Sequence, residues 1–138
     1  MLACSAMIGT SEDLEGQLTR LERRYERLDD GTFMLSLGPT QPPVALRLVP
    51  PVLLLQVEVG DAPVSDAKAA PLYKKLLELN ASALLHAAYG LQGGKIVLSS
   101  ALELDNLDLN ELEAALADID VALGEHVPVL HGLVQSAS

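Results

Sequence analysis

The sequence predicts an α+β fold in which helices pack on an antiparallel sheet, with the element order α-β-β-β-α-β-β-α. Apolar residues recur at steps of three and four in three segments and alternate at steps of two in five others. Turn-forming residues separate these segments, and no repeat or long linker divides the 138 residues. We therefore expect one layered domain over residues 1–138, with its core at 11–131 and frayed ends at 1–9 and 135–138.

The first helix is predicted to begin after Thr10, whose hydroxyl can cap its N-terminus, with Glu12 and Asp13 in the first turn. Its apolar face consists of five residues at steps of four and three: Leu14, Leu18, Leu21, Tyr25 and Leu28. An Asp-Asp-Gly sequence at 29–31 is predicted to end it.

Three strands are predicted next, because apolar residues alternate with polar or small ones. They begin near Phe33, Val44 and Val52. Pro50-Pro51 separates the second strand from the third, since proline has no N–H group for the hydrogen-bond ladder. Short links between successive strands indicate a meander.

The second helix is predicted to start at Pro71, which suits the first helical position. Its apolar face extends to residue 84 and is too broad for one contact surface, which favours contact with both the core and a partner. A Gln-Gly-Gly turn at 92–94 then joins two strands, 86–91 and 95–104, in a hairpin.

The last helix is predicted to be capped by Asp108, with Glu111 as the capping-box partner. Its apolar stripe continues to Leu123. We expect Gly124 to end or loosen the helix, and Pro128 to kink it because the residue before a proline disfavours the helical state.

The composition limits the kinds of partner. The chain has 19 acidic against 9 basic residues, a net charge of −10, 3% aromatic residues and no Trp. These properties argue against nucleic acid and against an anionic membrane surface. Cys4 is the single cysteine, so no internal disulfide can form, and the apolar stretch 44–55 is too short to span a bilayer. We expect a cytoplasmic protein that is not inserted in a membrane.

The sequence gives no signature of catalysis. His86, His126 and His131 stand beside no candidate nucleophile, and the glycine-rich stretch 90–94 precedes a strand rather than a helix, unlike a phosphate loop. Acidic residues at 103–111 lack the spacing of a calcium loop. Four arginines between 20 and 27 form either a solvated face or a contact patch. We therefore expect no enzyme, no catalytic residue, no cofactor and no metal site.

Motifs in the second half resemble those of a known family. They are Leu-Leu-Glu-Leu-Asn at 76–80, Tyr-Gly-Leu at 89–91, Gly-Lys-Ile-Val-Leu-Ser at 94–99 and the acidic Leu-rich segment 102–107, followed by the final helix. The chain resembles the class I type III secretion chaperones (the Tir-chaperone or CesT-like family), whose layout is shared by YbjN-like domains. The element order of residues 11–131 is similar to that family as well.

The resemblance implies a homodimer that holds a protein client, such as an effector segment, in extended form. The implied dimer interface comprises Leu72, Tyr73, Leu76, Leu77, Leu84, His86 and Tyr89. The implied client-binding residues are Leu14, Leu18, Leu21, Tyr25, Phe33, Leu35, Leu53 and Leu55. Two alternatives stay open: a YbjN-like regulatory domain of unknown ligand, and a small-ligand binder or enzyme with a pocket between helix and sheet.

Overall fold

The computed structural model describes residues 8–137. The predicted fraying of residues 1–7 and of Ser138, together with Cys4, lies outside them, whereas Ile8 is buried in the core. The elements run in the following order: α1 (Ser11–Arg20), β1 (Tyr25–Arg27), β2 (Phe33–Leu35), β3 (Val44–Val49), β4 (Val52–Asp61), α2 (Asp66–Ser82), β5 (Ala88–Gln92), β6 (Lys95–Glu103) and α3 (Leu109–Ala137).

The six strands form one antiparallel sheet in the order β1-β2-β3-β4-β6-β5. The predicted α+β class, the meander and the hairpin are confirmed. The meander is β2, β3 and β4, and the cis peptide Pro50-Pro51 forms the turn between the last two strands. The observed order contains one more strand than predicted, because β1 lies between α1 and β2.

The first helix is shorter than its apolar pattern predicts. It ends at Arg20, where the N–H of Leu21 donates to the Gln17 carbonyl at 3.0 Å and Glu22 takes a left-handed φ of 57°. The prediction that Tyr25 and Leu28 extend the helical face is therefore wrong. Tyr25 is on β1, where it pairs with Leu35 of β2. Strand pairing decides the structure here and overrides the helical spacing of the apolar residues.

The helix starts follow from capping side chains. Thr10 Oγ1 accepts from the Asp13 N–H at 3.1 Å, and Asp13 Oδ2 accepts from the Thr10 N–H at 3.1 Å, which completes a capping box. Asp108 Oδ1 likewise accepts from the Glu111 N–H at 2.8 Å, so the predicted cap is confirmed. The predicted start of the second helix is wrong, because Ser65 caps it before Pro71.

The last helix continues through both predicted disturbances, Gly124 and Pro128. Pro128 cannot donate to the carbonyl four residues earlier, so the helix loses one internal hydrogen bond. Leu123, His126 and Leu130 are buried on its inner side, and this packing offsets the missing bond. Within residues 8–137, no helix is long and apolar enough to cross a membrane.

The core lies between one face of the sheet and the three helices. The strand register brings Phe33, Leu46 and Leu55 side by side on that face, and it pairs Val57 with Leu98 and Leu98 with Tyr89. These side chains are all buried. The helices complete the core with their own buried residues, including Leu14, Leu18, Leu72, Leu76, Leu112, Leu116 and Ile119.

Candidate functional site

An apolar groove of about 300 Å³ runs between α2 and β5, at one end of the sheet. Two leucines on its walls are exposed, with Leu77 at 69% and Leu91 at 52% of their full surface. The residues that line the groove are Tyr73, Leu76, Leu77, Asn80, Tyr89, Gly90 and Leu91. Exposed leucines that flank an apolar depression are typical of a surface that binds another polypeptide.

The groove exists because α2 has two apolar faces. Ala69, Leu72, Leu76 and Leu79 recur at helical spacing and are buried against the rest of the chain. Leu77 follows Leu76 directly, and a one-residue step rotates a side chain by about 100° around a helix. The broad apolar face in the sequence is thus a buried core face beside an exposed ridge.

The predicted dimer-interface residues fall into two groups. Tyr73, Leu76, Leu77 and Tyr89 line the groove together. The other three lie elsewhere: Leu72 is fully buried in the core, Leu84 packs on the core edge, and His86 lines a different depression beside the start of α3. Asn80, Gly90 and Leu91 also line the groove but are absent from the predicted interface, although the family motifs contain all three.

Asn80 connects the two walls of the groove. Its Oδ1 accepts from the backbone N–H of Tyr89 at 2.7 Å, and its Nδ2 donates to the Tyr89 carbonyl at 3.1 Å. One amide side chain therefore pairs with both polar backbone groups of a residue on β5. These two bonds fix the end of α2 against the strand.

Tyr89 also connects β5 to α3. Its hydroxyl lies 2.9 Å from Nδ1 of His126, and both side chains are buried. Burial raises the pKa of Tyr89 to about 12, so the hydroxyl keeps its proton at neutral pH and can donate to the imidazole. This bond satisfies two polar groups inside an apolar core.

The other two histidines lie apart from this pair. His86 is exposed, and its backbone N–H donates to Asp118 Oδ2 at 2.9 Å. His131 is exposed on α3. Among residues 8–137, no three His, Cys, Asp or Glu side chains are close enough together to hold a metal ion.

The opposite end of the sheet is charged. Arg27 on β1 lies 3.6 Å from both Glu12 and Glu15 of α1, and its guanidinium carbon is 5.3 Å from the centre of the Phe33 ring. The Tyr25 hydroxyl donates to Glu15 at 3.1 Å. This β1 network holds α1 against the strand that the sequence pattern had assigned to the helix.

The predicted client-binding residues lie mostly inside the domain. Leu21 and Tyr25 are partly buried. The remaining six are buried in the core: Leu14, Leu18, Phe33, Leu35, Leu53 and Leu55. In the isolated chain, these residues do not present their side chains to a client, so a segment that contacts the same elements would meet other residues.

Those other residues form a depression of about 390 Å³ on the solvent face of the sheet. Met34, Ala45 and Gln56 are neighbours across β2, β3 and β4 and are half-buried on its floor. Arg47 and Glu58 add charges of both signs. Alternation along the strands places these residues opposite the core residues of the same strands.

The chain matches the sequence model of the CesT_Tir_1 family over residues 7–136. It belongs to this family. The Tir-chaperone or CesT-like resemblance seen in residues 76–107 is therefore confirmed for almost the whole chain, including the N-terminal half. No curated protein matches the chain.

Solved structures confirm the fold. SpcU with ExoU, a heterodimeric complex from the type III secretion system of Pseudomonas aeruginosa, contains a chain that is 20% identical with a TM-score of 0.65; the match covers 83% of this chain and 95% of that chain. YbjN from E. coli is 18% identical with a TM-score of 0.65, covering 88% and 94%. The Yersinia pestis complex of the secretion chaperone SycH with a YscM2 fragment contains a chain that is 17% identical with a TM-score of 0.58, covering 83% and 96%.

Proposed function

We propose that this protein is a chaperone of the type III secretion kind, which forms a homodimer and holds a segment of a partner protein in extended form. It acts by binding and carries out no reaction. Under this proposal, the protein acts in the cytoplasm, where it would keep a client unfolded before export. Family membership and fold support the general role, and surface features of this chain support the dimer and the client.

The observation that carries the proposal is the apolar groove between α2 and β5, with Leu77 and Leu91 exposed beside it. Burying such leucines stabilises an association by roughly 25 cal/mol per Å² of apolar surface removed from water. Tyr73 adds an aromatic ring to the groove wall, and aromatic residues are enriched in protein interfaces. A second copy of the chain is the partner we propose for this groove.

The client is proposed to bind at the other end of the sheet and on its solvent face. There Met34 and Ala45 provide apolar contacts on the floor of the depression, and Arg47 and Glu58 provide charged groups for orientation. An extended segment can contact such a surface with every second side chain. The net charge of −10 favours a client segment with basic residues.

Two measurements test the proposal. Light scattering on the purified chain should give twice the chain mass of 14.6 kDa at micromolar concentration. Purification from the native host should yield a bound protein with one segment that exchanges its amides freely when alone and is protected in the complex. A monomer would contradict the dimer, and a bound client whose contacting segment folds into a compact domain would contradict the extended state.

YbjN gives the second candidate function, because its TM-score of 0.65 equals that of the chaperone-complex chain. YbjN is described as a candidate transcription regulator. Under this alternative, the same domain would be a regulatory module without a secretion client. A stable binding partner whose removal changes transcription and leaves secretion unchanged would favour it.

A further inference from the structure

The strand β5 forms one edge of the sheet, so alternate residues point their backbone N–H and C=O groups away from β6. The turn at 93–94 makes Gln92 and Lys95 a hydrogen-bonded pair, and the pairing then recurs at every second residue. Gly90 and Ala88 therefore face β6. Tyr89 and Leu91 present their backbone groups to the outer edge, where a strand from another molecule could pair with them.

Asn80 occupies this edge at Tyr89. Its amide accepts from the Tyr89 N–H at 2.7 Å and donates to the Tyr89 carbonyl at 3.1 Å. A neighbouring strand would make the same two bonds with the same two atoms. The side chain thus takes the place of a peptide group of an adjacent strand, supplied by the last turns of α2.

We propose that Asn80 is a strand mimic that closes the free edge of β5, so that the groove accepts only a partner that docks through side chains. This inference rests on the proposed homodimer, and the occupant is a second copy of the chain. Without Asn80, the outward groups of Tyr89 and Leu91 would form a two-residue template for backbone pairing.

The shape and charge of α2 favour a second copy as that occupant. A two-fold axis makes an interface self-complementary, and this chain carries both a protruding side chain, Leu77, and the apolar groove beside it. Opposite charges flank Leu77, since Lys74 and Glu78 are both exposed. When two α2 helices cross in antiparallel fashion near Leu77, Lys74 of each approaches Glu78 of the other.

The strand β1 forms the opposite edge of the sheet. The N–H of Leu28 donates to Thr32, and the Arg24 carbonyl accepts from Ser36, so these residues face β2. By alternation, Tyr25 and Arg27 point their backbone groups outward. Within residues 8–137, no hydrogen bond reaches those outward groups. Among residues 8–137, Asn80 thus covers the β5 edge at Tyr89, whereas no such bond covers the β1 edge.

Amide hydrogen exchange on the unmodified dimer is the first test. The Tyr89 amide should exchange more slowly than the Leu91 amide by about tenfold or more, because Asn80 bonds only the former. Docking through side chains leaves the Leu91 N–H without a backbone acceptor. If the Leu91 amide is as protected as the interior amides of β6, a partner strand pairs with β5 and the inference is wrong.

The variant Asn80→Leu is the second test. Leucine is similar in size and a better helix former, so α2 keeps its local stability while both bonds are lost. We expect about tenfold faster exchange at Tyr89 and assemblies larger than the dimer in light scattering as concentration rises. Asn110→Leu, on the exposed first turn of α3, is the matched control and should leave both readings unchanged.

A second substitution checks that the larger assemblies form through the edge. Ala88 is exposed on the solvent face of β5 and does not line the groove. A lysine on an edge strand opposes strand pairing, so Asn80→Leu with Ala88→Lys should return to the dimer. A folded Asn80→Leu variant that remains a dimer at all concentrations would overturn the inference while leaving the homodimer intact. A monomeric wild-type chain would overturn the homodimer instead.

Circular dichroism decides whether Asn80→Leu is folded. Should this variant unfold, the comparison of the Tyr89 and Leu91 amides in the wild-type protein decides the question alone.

Discussion

The two ends of the sheet differ in the interactions that stabilise them and in the surface that they expose. At the β1 end, Arg27 pairs with two glutamates of α1 in a network open to solvent. At the β5 end, Asn80 and His126 satisfy the polar atoms of Tyr89, and the exposed surface beside them is leucine. A polar surface whose strand edge has no backbone partner among residues 8–137 suits an exchanging client, whereas an apolar surface whose edge is covered at Tyr89 suits a permanent partner. Under the proposed function, this difference would keep client binding and dimer assembly at separate ends of one sheet.

The largest effect is expected from Leu77→Asp at the β5 end. A carboxylate buried in an apolar interface is not compensated, so the dimer dissociation constant should rise by about 100-fold or more. Leu77 is 69% exposed, so the fold itself should survive. Sedimentation measures the dimer dissociation constant, and thermal unfolding measures the stability of the fold.

The control for this variant is Val121→Asp, which changes a residue on α3 that is 57% exposed and outside the groove. It should leave the dimer unchanged. Unfolding of Leu77→Asp at low concentration would show that Leu77 is needed by the core of the single chain.

The second largest effect is expected from alkaline pH, which should lower the free energy of unfolding through Tyr89 at the β5 end. The pKa of Tyr89 is about 12 in the folded chain, against about 10 in an unfolded one. Between these values, the unfolded state loses a proton that the folded state keeps, so the free energy of unfolding falls as pH rises. This difference in pKa corresponds to a loss of at most about 3 kcal/mol.

Tyr89→Phe lacks the hydroxyl that titrates, so its free energy of unfolding should not show this alkaline fall. It is therefore the control variant for the pH experiment. At neutral pH it should cost about 1 kcal/mol, because Nδ1 of the buried His126 loses its partner. Urea unfolding at several pH values measures both effects. An equally steep alkaline fall in Tyr89→Phe would assign the loss to other groups.

Arg27→Met at the β1 end should have a smaller effect. The methionine keeps an aliphatic chain over Phe33 and removes two ion pairs that are open to solvent. Such pairs contribute about 0.2–1 kcal/mol each at most, and salt screens them. We expect a slightly lower urea midpoint in low salt, and no difference from wild type in 1 M salt. A loss that persists in high salt would indicate packing by the arginine stem.

The smallest effect is expected at the capping box of α1. Hydrogen bonds from the Gly9 N–H, the Thr10 hydroxyl and the Thr10 N–H lower the pKa of Asp13. Its contribution is therefore present above the unfolded pKa of 3.8 and is lost as pH falls through the lower folded value. Asp13→Asn should flatten the acid limb of stability against pH. Glu113→Gln, on an exposed face of α3, serves as the control.

Local patterns predicted most of the fold, because they act over a few residues. Thr10 and Asp108 cap helices within their own first turns, and alternation identified β3 and β4 on either side of Pro50-Pro51. The strand β1 was missed because local patterns do not show which segments pair with each other. Tyr25 continues the helical spacing of the apolar residues, and only pairing with β2 across a turn shows that residues 25–27 form a strand.

The site was less predictable, since it depends on contacts between distant residues. The family resemblance placed Leu72 and Leu77 together in the dimer interface, whereas the packing buries Leu72 and exposes Leu77. The bond between Tyr89 and His126 joins residues 37 apart. Asn80 stood in a quoted motif, but its pairing with Tyr89 requires the chain to reverse between α2 and β5.

The position of β6 between β4 and β5 has a consequence for how the chain folds. During synthesis, the pairing of β1 with the meander β2–β4 is complete before β6 emerges, because these pairings join neighbouring segments. Until then, one edge of the long apolar strand β4 has no pairing strand, and Val57 lacks its neighbour Leu98. The nascent domain is most prone to aggregation at this stage. Changes that delay β6, such as a longer loop before α2, should therefore lower the yield of folded protein more than they lower its final stability.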